Sequence, residues 1–518
     1  MGFFLSGTNN ALMPFNSIFA WMIKKRVHQI DLFRKYPHEV QQELFEYLLE
    51  RGSQTEYGRL VGMDKVKSYE DFQQLPLQTY EDTKSWIDRS MAGEQGLIWP
   101  TEIKWFAKSS GTTTRNKLIP VTKESLEECH YKGGKDLLAM YYDMHPNRKL
   151  YKGKHLIIGG SAQINHLSAD SYFGDLSAII VKNLPWWAEI RRTPSKEIAL
   201  MTDWTSKIER MAESTMHQDV YILAGVPSWT MVLANKVLEL SGKQNLKEVW
   251  PNLELFMHGG VSFEPYREQF ARLIPDEGMN YVETYNASEG FFGIQDQANS
   301  DEMLLMLDYG IFFEFIPMAS FEGTASTEVI SIQDVEVGVN YAMVITTNGG
   351  LWRYILGDTV RFTSTAPFRF KITGRTRSYI NCFGEELIVE HAERAVAQAC
   401  KRTSAQIREF TAGPVFMEGT NSGRHEWIFE FVQYPNDMER FEHVLDETLR
   451  EVNADYDAKR FHDLIVEKPL VSLVKSGTFD NWLRANGRLG GQNKVPRLSN
   501  NREILEQILQ TANPKNFA

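Results

Sequence analysis

A hydroxyl-rich loop near residue 110 contains the first residues whose types and spacing could do chemistry. The segment "WFAKSSGTTTRNKLIP" combines small residues with flanking basic ones. Its candidate ligand-binding residues are Ser109, Ser110, Gly111, Thr112, Thr113 and Lys117. Hydroxyl and backbone donors that converge on one point, with a lysine beside them, suit a polyphosphate. An ordinary polar hairpin turn is the alternative interpretation.

The order of elements around this loop separates it from a Walker P-loop. The residues on both sides look extended, and a helix is expected to begin only at Thr122. A Walker loop needs GxxxxGK[ST] leading directly into a helix. We therefore expect a strand, a loop and a second strand.

Composition limits the classes of partner. The 518 residues favour two or more domains, and 56 basic against 67 acidic residues give a net charge of −11. This charge argues against nucleic acid or a membrane surface as the main partner. The three cysteines, Cys129, Cys382 and Cys400, are expected to be free thiols in a reducing compartment. Since Pro14 interrupts the N-terminal apolar run, we expect an amphipathic helix there and a cytoplasmic enzyme.

Hydrophobic patterns predict the elements that must position the loop. From about residue 156, short apolar runs alternate with helical patterns, as in an α/β sheet with crossover helices. Residues 303–370 are rich in strand patterns, and a fresh α+β pattern follows them. We predict an α/β fold with a large N-terminal domain, 1–376, which has mixed sheets and a β-rich subdomain. A small mobile α+β domain, 377–518, would turn on a hinge near 375–380.

The hydroxyl-rich loop resembles the phosphate-binding motif of adenylate-forming enzymes, the superfamily of acyl-CoA synthetases and firefly luciferase. Within it, the chain most resembles the auxin-responsive acyl acid amido synthetases, which conjugate plant hormone acids to amino acids. That family has bacterial members, and this chain is expected to be one. The segment "LFMHGGVSF" is similar to the family's adenine-flanking turn, which implies that Gly259, Gly260 and Val261 lie near the base. Two glycines allow a flat ring to approach closely, although a buried turn without a ligand is the alternative.

Two further segments carry carboxylates. "VETYNASEGFFG" resembles a segment whose glutamate binds Mg2+ on the nucleotide phosphates, which implies this role for Glu289 and places Tyr285 and Ser288 beside adenine and phosphate. Magnesium keeps several waters, so one carboxylate beside phosphates suffices. Without the neighbouring motifs, Ser288 and Glu289 would be interpreted as a helix cap. "WRYILGDTVRF" resembles the segment whose aspartate, here Asp358, binds the ribose hydroxyls.

The same segment departs from the family pattern at one position. Ile355 stands where an arginine is common in plant members. Arg353 or Arg361 is expected to compensate.

The remaining motifs lie at and after the expected hinge. "FKITGRTRSYINCFGEELIVEHAE" is similar to the linker between the two domains, which implies that Arg375 reaches the ribose or phosphate. "GRLGGQNKVPRL" resembles the C-terminal loop whose lysine, here Lys494, enters the active site during adenylation.

The resemblance implies an ATP- and Mg2+-dependent ligase. It would activate a carboxylic acid as an acyl-AMP and transfer the acyl group to an amine, expected to be an amino acid. Lys494 and Glu289 are the expected catalytic groups, and the sequence identifies no base for the second step.

Three competing functions stay open at this point. An acyl-CoA ligase is disfavoured because Gly-x-Pro-Lys-Gly is missing after the loop. An inactive nucleotide-binding protein would keep the fold without the chemistry. A serine hydrolase would use Ser288 as its nucleophile, although Ser288 lacks a Gly-x-Ser-x-Gly elbow.

Overall fold

The fold is described from a computed structural model of the chain. The residues it describes are 25–109, 117–146, 153–159, 164–168, 171–184, 186–260, 263, 266–298, 300–376, 379–385, 387–417, 422–460, 465–486 and 495–512. The expected helix within the first 24 residues lies outside this set.

The strands are numbered in chain order. They are β1 Trp105–Ser109, β2 Lys117–Val121, β3 Lys154–Ile158, β4 Asn165–Ser168, β5 Ser171–Asp175, β6 Arg192–Thr193, β7 Val220–Gly225, β8 Leu255–Gly259, β9 Asn280–Ala287, β10 Gly290–Ile294, β11 Met303–Leu305, β12 Ile311–Pro317, β13 Ile330–Ser331, β14 Asn340–Thr347, β15 Tyr354–Thr365, β16 Phe368–Arg375, β17 Tyr379–Ile380, β18 Leu387–Ile388, β19 Gln406–Val415, β20 Arg424–Gln433 and β21 Leu470–Val474.

The helices flank these strands. They are 25–35, Pro37–Ser53, Glu56–Val61, Tyr69–Gln73, Tyr80–Met91, a π-helical turn Ser125–His130 that continues as Tyr131–Met144, Leu176–Lys182, Trp186–Glu189, Lys196–Ala199, Trp204–Thr215, Pro227–Ser241, Leu246–Val249, Arg267–Leu273, Val389–Thr403, Met438–Val452, Ala454–Arg460, Thr478–Ala485 and Glu503–Ala512. Short 3₁₀ turns lie at Met63–Lys65, Met318–Ser320, Gly323–Ala325 and Ile332–Asp334.

In the described part of the chain, twelve strands form one mixed sheet that is the centre of the large domain. Its order is β13-β12-β14-β15-β16-β11-β10-β9-β8-β7-β3-β6. The pairs from β6 to β9 are parallel, as the strand–helix–strand pattern predicts, and the pairs from β9 to β13 are antiparallel. The β-rich stretch is therefore the antiparallel half of the same sheet.

The parallel half has a clear sequence origin. The β7 residues Val220, Ile222 and Leu223 are almost fully buried, because helices cover both faces of the sheet here. The helix after β7 begins with Pro227 in its first turn, where the missing N–H costs nothing. Its C-terminal end is Gly242 at φ 65°, a left-handed cap that suits glycine.

A second sheet, β2-β1-β5-β4, carries the hydroxyl-rich loop. β1 and β2 are antiparallel, with Ser109 opposite Lys117, so the expected strand–loop–strand order is confirmed. Thr122 begins the next helix as expected, because its hydroxyl accepts a hydrogen bond from the backbone N–H of Ser125 at 3.0 Å.

The small domain is built on the sheet β19-β20-β21. Aromatic residues of β20, Trp427 and Phe429, pack with Phe441 and Leu445 of the helix Met438–Val452. The expected α+β fold of this domain is confirmed, whereas the boundary between residues 376 and 377 stays a prediction.

Two expectations drawn from composition can be compared with the structure. Cys129, Cys382 and Cys400 are free thiols, as expected. No helix within the described ranges combines the length and apolar character that crossing a membrane requires. The cytoplasmic location stays a prediction.

Candidate active site

A cavity of about 910 Å³ brings most of the described candidate residues together. Its wall includes Ser109, Lys117, Gly260, Tyr285, Ser288, Glu289, Asp358 and Arg375. The small domain also contributes to the wall, through Gly384, Asp455 and Lys459. Residues from both domains therefore face one space that is large enough for a nucleotide and a second reactant.

The hydroxyl-rich loop meets this cavity at both of its ends. Ser109, the last residue of β1, and Lys117, the first of β2, form a cross-strand pair at the cavity wall. Tyr80 supports this hairpin, because its hydroxyl hydrogen-bonds the backbone N–H of Leu118 at 3.0 Å and the Lys117 ammonium lies 5.8 Å from its ring centroid. Four predicted ligand residues, Ser110, Gly111, Thr112 and Thr113, lie outside the described residues.

The glycine turn after β8 allows two backbones to approach closely. A Cβ atom on Gly259 would lie 2.4 Å from the backbone oxygen of Thr284 on β9, so only glycine fits there. Gly260 has φ 83° and lines the cavity, whereas Val261 lies outside the described residues. The turn thus exposes backbone rather than side chain, as contact with a flat ring requires.

Asp358 is held by two donors from other strands. Its Oδ2 accepts a hydrogen bond from the Tyr285 hydroxyl at 2.5 Å, and its Oδ1 accepts one from Arg375 Nε at 2.6 Å. Burial and the nearby Asp358 carboxylate raise the pKa of Tyr285 well above its usual value, so the phenol remains a donor. The carboxylate offers about four lone-pair sites, so two positions are left for a ligand such as a vicinal diol.

This contact requires a strongly curled sheet. Tyr285 stands on β9 and Asp358 on β15, with β16, β11 and β10 between them in the strand order. Strands lie about 4.8 Å apart, so a flat sheet would separate the two by about 19 Å. The curl brings the parallel and antiparallel halves together around one corner of the cavity.

Ser288 and Glu289 form the two-residue turn of a β-hairpin. Ala287 pairs with Gly290 across β9 and β10, which leaves the two residues between them at the tip. The helix-cap interpretation of this pair is therefore wrong. Both side chains line the cavity beside the residues discussed above.

Magnesium binding by Glu289 stays a prediction. The described residues contain no group of three or more His, Cys, Asp or Glu side chains able to hold a metal ion. Mg2+ commonly uses one or two carboxylates together with substrate phosphates and water. The carboxylate of Glu289, the predicted ligand, lines the cavity.

The residues expected to compensate for Ile355 do not reach the cavity. Arg353 is buried, pairs with Glu314 at 2.9 Å and donates to the backbone oxygens of Gln73 and Leu75. Arg361 pairs with Asn340 across the neighbouring strand and is exposed to solvent. Ile355 itself packs in a separate apolar cluster, so an arginine at this position would point away from the cavity.

Sequence reasoning missed several charged residues of the cavity wall. Four of them are Lys108 near the end of β1, Asp175 at the end of β5, and Asp455 and Lys459 on a helix of the small domain. The segment "NADYDAKRF" contains two of them, but nothing in its pattern indicates that it faces residues more than 300 positions earlier.

Lys494 lies outside the described residues. The chain resumes at Val495, which is buried among Phe479, Trp482 and other apolar residues of the small domain. From there the backbone is fixed to β19, since Ala412 N–H donates to Arg497 and Ser499 N–H donates to Ala412, both at 2.9 Å. The role of Lys494 stays a prediction.

Three family models match most of the chain. Residues 26–279 match the GH3 family N-terminal domain, 304–375 the GH3 family central domain and 390–503 the GH3 family C-terminal domain.

Two relatives from Arabidopsis thaliana are similar over nearly their whole length. Indole-3-acetic acid-amido synthetase GH3.4 is 24% identical, with 91% of each chain covered. The 4-substituted benzoates-glutamate ligase GH3.12 is also 24% identical, with 91% of this chain and 94% of the relative covered. These relatives are plant proteins, and the expected bacterial origin stays a prediction.

Solved structures confirm the adenylate-forming fold. The GH3.15 acyl acid amido synthetase in complex with 2,4-DB is 21% identical, with a TM-score of 0.58 over 91% of this chain and 93% of that one. A 2-hydroxyisobutyryl-CoA ligase in complex with 2-HIB-AMP and CoA is 15% identical, with a TM-score of 0.55 over 91% and 92%.

Proposed function

Because the chain belongs to the GH3 family, whose three domain models together span most of its length, we propose that it is an ATP-dependent acyl acid amido synthetase. In the first step the carboxylate of an acid attacks the α-phosphate of ATP, pyrophosphate leaves and an acyl-AMP remains. In the second step an amine, taken to be that of an amino acid, attacks the acyl carbon and AMP leaves.

The observation that carries this proposal is the convergence of three sets of groups on one cavity. The ends of the hydroxyl-rich loop, the carboxylate of Glu289 and the pair Asp358–Arg375 all line it. A phosphate-binding loop, a magnesium ligand and a diol acceptor are what an adenylation site needs. A packed core would not place four ionisable side chains around open space.

Each group then has an assigned task in the first step. The hydroxyls and backbone of 109–113, with Lys117, bind the phosphates, and Gly259, Gly260 and Val261 lie against the adenine. Tyr285 and Ser288 line the adenine and phosphate, while Asp358 binds the ribose and Arg375 binds the ribose or phosphate. Glu289 would hold Mg2+, which would supply positive charge beside the phosphates. Lys494 enters during adenylation and stabilises the charge that develops on the α-phosphate.

The cavity wall also includes apolar side chains. Met144, Trp229, Phe263 and Met279 are among them. Apolar side chains in a concave wall favour burial of an aryl or alkyl group. An aryl or medium-chain acid is therefore the substrate class that we propose to test first.

ATP–pyrophosphate exchange over a panel of acids tests the first step, and exchange with one of them identifies the acid. Mass spectrometry of products formed with each amino acid tests the second step. Coenzyme A in a parallel reaction separates amide from thioester formation. Exchange with no acid would refute the proposal and favour an inactive nucleotide-binding protein, whereas a thioester product would replace amide synthesis by acyl-CoA ligation.

A further inference from the structure

A short helix of the small domain, Ala454–Arg460, presents two charged side chains to the cavity. Asp455 and Lys459 are four residues apart, so they lie on one face of the helix. Glu289 and Asp358 line the same cavity from the large domain. A carboxylate that arrives with the small domain therefore shares the space assigned to the acyl-adenylate.

The start of this helix is fixed by a buried amide. Asn453 Oδ1 accepts hydrogen bonds from the backbone N–H groups of Asp455 and Tyr456, both at 2.9 Å. Its Nδ2 donates to the backbone oxygen of Glu385 at 2.7 Å. Asn453 thus orients the backbone of Asp455 and joins it to the turn that follows the hinge.

A neighbouring side of the helix is held by a buried carboxylate. Asp446 accepts the Tyr456 hydroxyl at 2.9 Å and two hydrogen bonds from the Arg460 guanidinium, both at 2.7 Å. A bidentate pair of this kind sets direction as well as distance. The direction in which Asp455 leaves the helix is therefore determined by its neighbours.

The turn beside the helix is fixed in the same way. Glu385 accepts the backbone N–H of Phe383 at 2.6 Å and pairs with His425 Nε2 at 2.8 Å, with both side chains fully buried. Between Phe383 and Glu385, Gly384 has φ 85° and lines the cavity. A Cβ atom at Gly384 would lie 3.5 Å from Cε of Lys459, so the turn packs directly against the helix.

The Asp455 carboxylate faces charges from several elements. Lys459 lies on its own helix, Lys108 at the end of β1, Asp175 at the end of β5 and Glu385 in the adjacent turn. Burial raises the pKa of Asp455 above its usual value, which makes it a stronger base than an exposed carboxylate.

A purely structural role for Asp455 would be to join the two domains by an ion pair. Lys459 already contacts the large domain, since its ammonium lies 4.6 Å from the ring centroid of Trp229. Within the described ranges, however, no side chain forms an ion pair or donates a hydrogen bond to the Asp455 carboxylate. Its oxygens are therefore available to a ligand in the cavity.

We propose that Asp455 accepts the proton that the acceptor amine must lose before it attacks the acyl-adenylate, an inference that rests on the proposed function. An ammonium group gives one proton to Asp455, and the freed lone pair forms the N–C bond at the acyl carbon. The bond from that carbon to the phosphate oxygen breaks, and its electron pair leaves with AMP. The second nitrogen proton passes to water, and Asp455 then returns its own proton to solvent.

The test compares Asp455→Asn with the wild type in three assays, using the acid that supports exchange. With an equimolar mixture of amino acids, AMP release should fall by about 10²- to 10⁴-fold, the usual contribution of a general base. ATP–pyrophosphate exchange should continue. With hydroxylamine, which is largely neutral at pH 7, hydroxamate formation should remain within a few-fold of wild type because no ammonium proton has to be removed.

Asp457→Asn is the matched control. Asp457 lies on the same helix, but it is half exposed and pairs with Arg450 at 2.6 Å on the protein surface. The control variant should resemble the wild type in all three assays.

The outcomes separate this inference from the proposed function. Absence of exchange in the wild type would refute the function itself. If exchange and amide formation occur and Asp455→Asn still releases AMP with amino acids at the wild-type rate, only the role of Asp455 is overturned. Equal loss with amino acids and hydroxylamine would also overturn it, because a misplaced helix would impair every acceptor.

Discussion

Replacement of Asp358 by asparagine gives the most specific prediction about the ribose corner, the part of the cavity formed by Tyr285, Asp358 and Arg375. The two side chains have nearly the same shape, but asparagine removes the charge and half of the acceptor sites. In the structure the carboxylate accepts hydrogen bonds from Tyr285 at 2.5 Å and Arg375 at 2.6 Å. The variant would therefore keep the fold of the strands while it loses the group that we assign to the ribose.

The magnitude follows from the kind of bond that is lost. A hydrogen bond to a charged group contributes about 1.5–3 kcal/mol, so losing one ribose contact should cost about 2 kcal/mol. This free energy corresponds to a rise of about 30-fold in KM for ATP. Because the ribose does not change charge during the reaction, kcat should change much less.

The assay compares ATP with analogues that lack one ribose hydroxyl. Wild-type exchange should favour ATP over 2′-deoxy-ATP and 3′-deoxy-ATP, and Asp358→Asn should lose most of that preference, since the partner of the hydroxyls is gone. Tyr285→Phe is the control, because it removes one donor to Asp358 but leaves the charge. An Asp358→Asn enzyme that still discriminates as strongly as the wild type would refute the assignment of Asp358 to the ribose.

Three further predictions concern other parts of the molecule. Lys494→Ala should lower acyl-adenylate formation by about 10²- to 10³-fold while amide formation from supplied acyl-AMP changes much less, and equal losses would contradict the assigned role. Glu289→Gln should raise the Mg2+ concentration needed for half-maximal exchange, with Ser288→Ala, which leaves the carboxylate, as the comparison. Burial lowers the pKa of His130 to about 4, so its contribution to stability, present above the unfolded value of about 6.5, should be lost as the pH falls towards 4. Between pH 7 and pH 5 the wild type should lose about 2 kcal/mol more unfolding free energy than His130→Leu in urea titrations, and parallel losses would contradict a neutral buried His130.

Sequence patterns predicted the elements of the large domain well, because each depends on local residues. The alternation of buried strands and amphipathic helices between β3 and β8 follows from side-chain periodicity alone. The hairpin around the hydroxyl-rich loop was predictable for the same reason, since extended residues on both sides and the late helix start at Thr122 are local features.

The site was predictable only where motifs carry it. Asp358 and Glu289 stand in recognisable segments. Asp455 follows the loop by more than 300 residues in the sequence and reaches the cavity only because the small domain packs against the large one. Arg353 shows the opposite error. It stands near a motif and was expected to serve the site, but its guanidinium already donates to Glu314 and to two backbone oxygens. Sequence spacing contains no information on which side chains a tertiary fold has already paired.

The curled sheet has a consequence for how reactants would enter. Tyr285, Asp358 and Arg375 stand on strands of one hydrogen-bonded sheet, so this corner keeps its shape wherever the small domain lies. The ribose would therefore meet groups of the large domain alone, whereas Lys494 and Asp455, the groups assigned to the two chemical steps, belong to the small domain. Descendants of such a protein could change the surroundings of the acceptor by substitutions in the small domain, while the ribose corner stays as inherited.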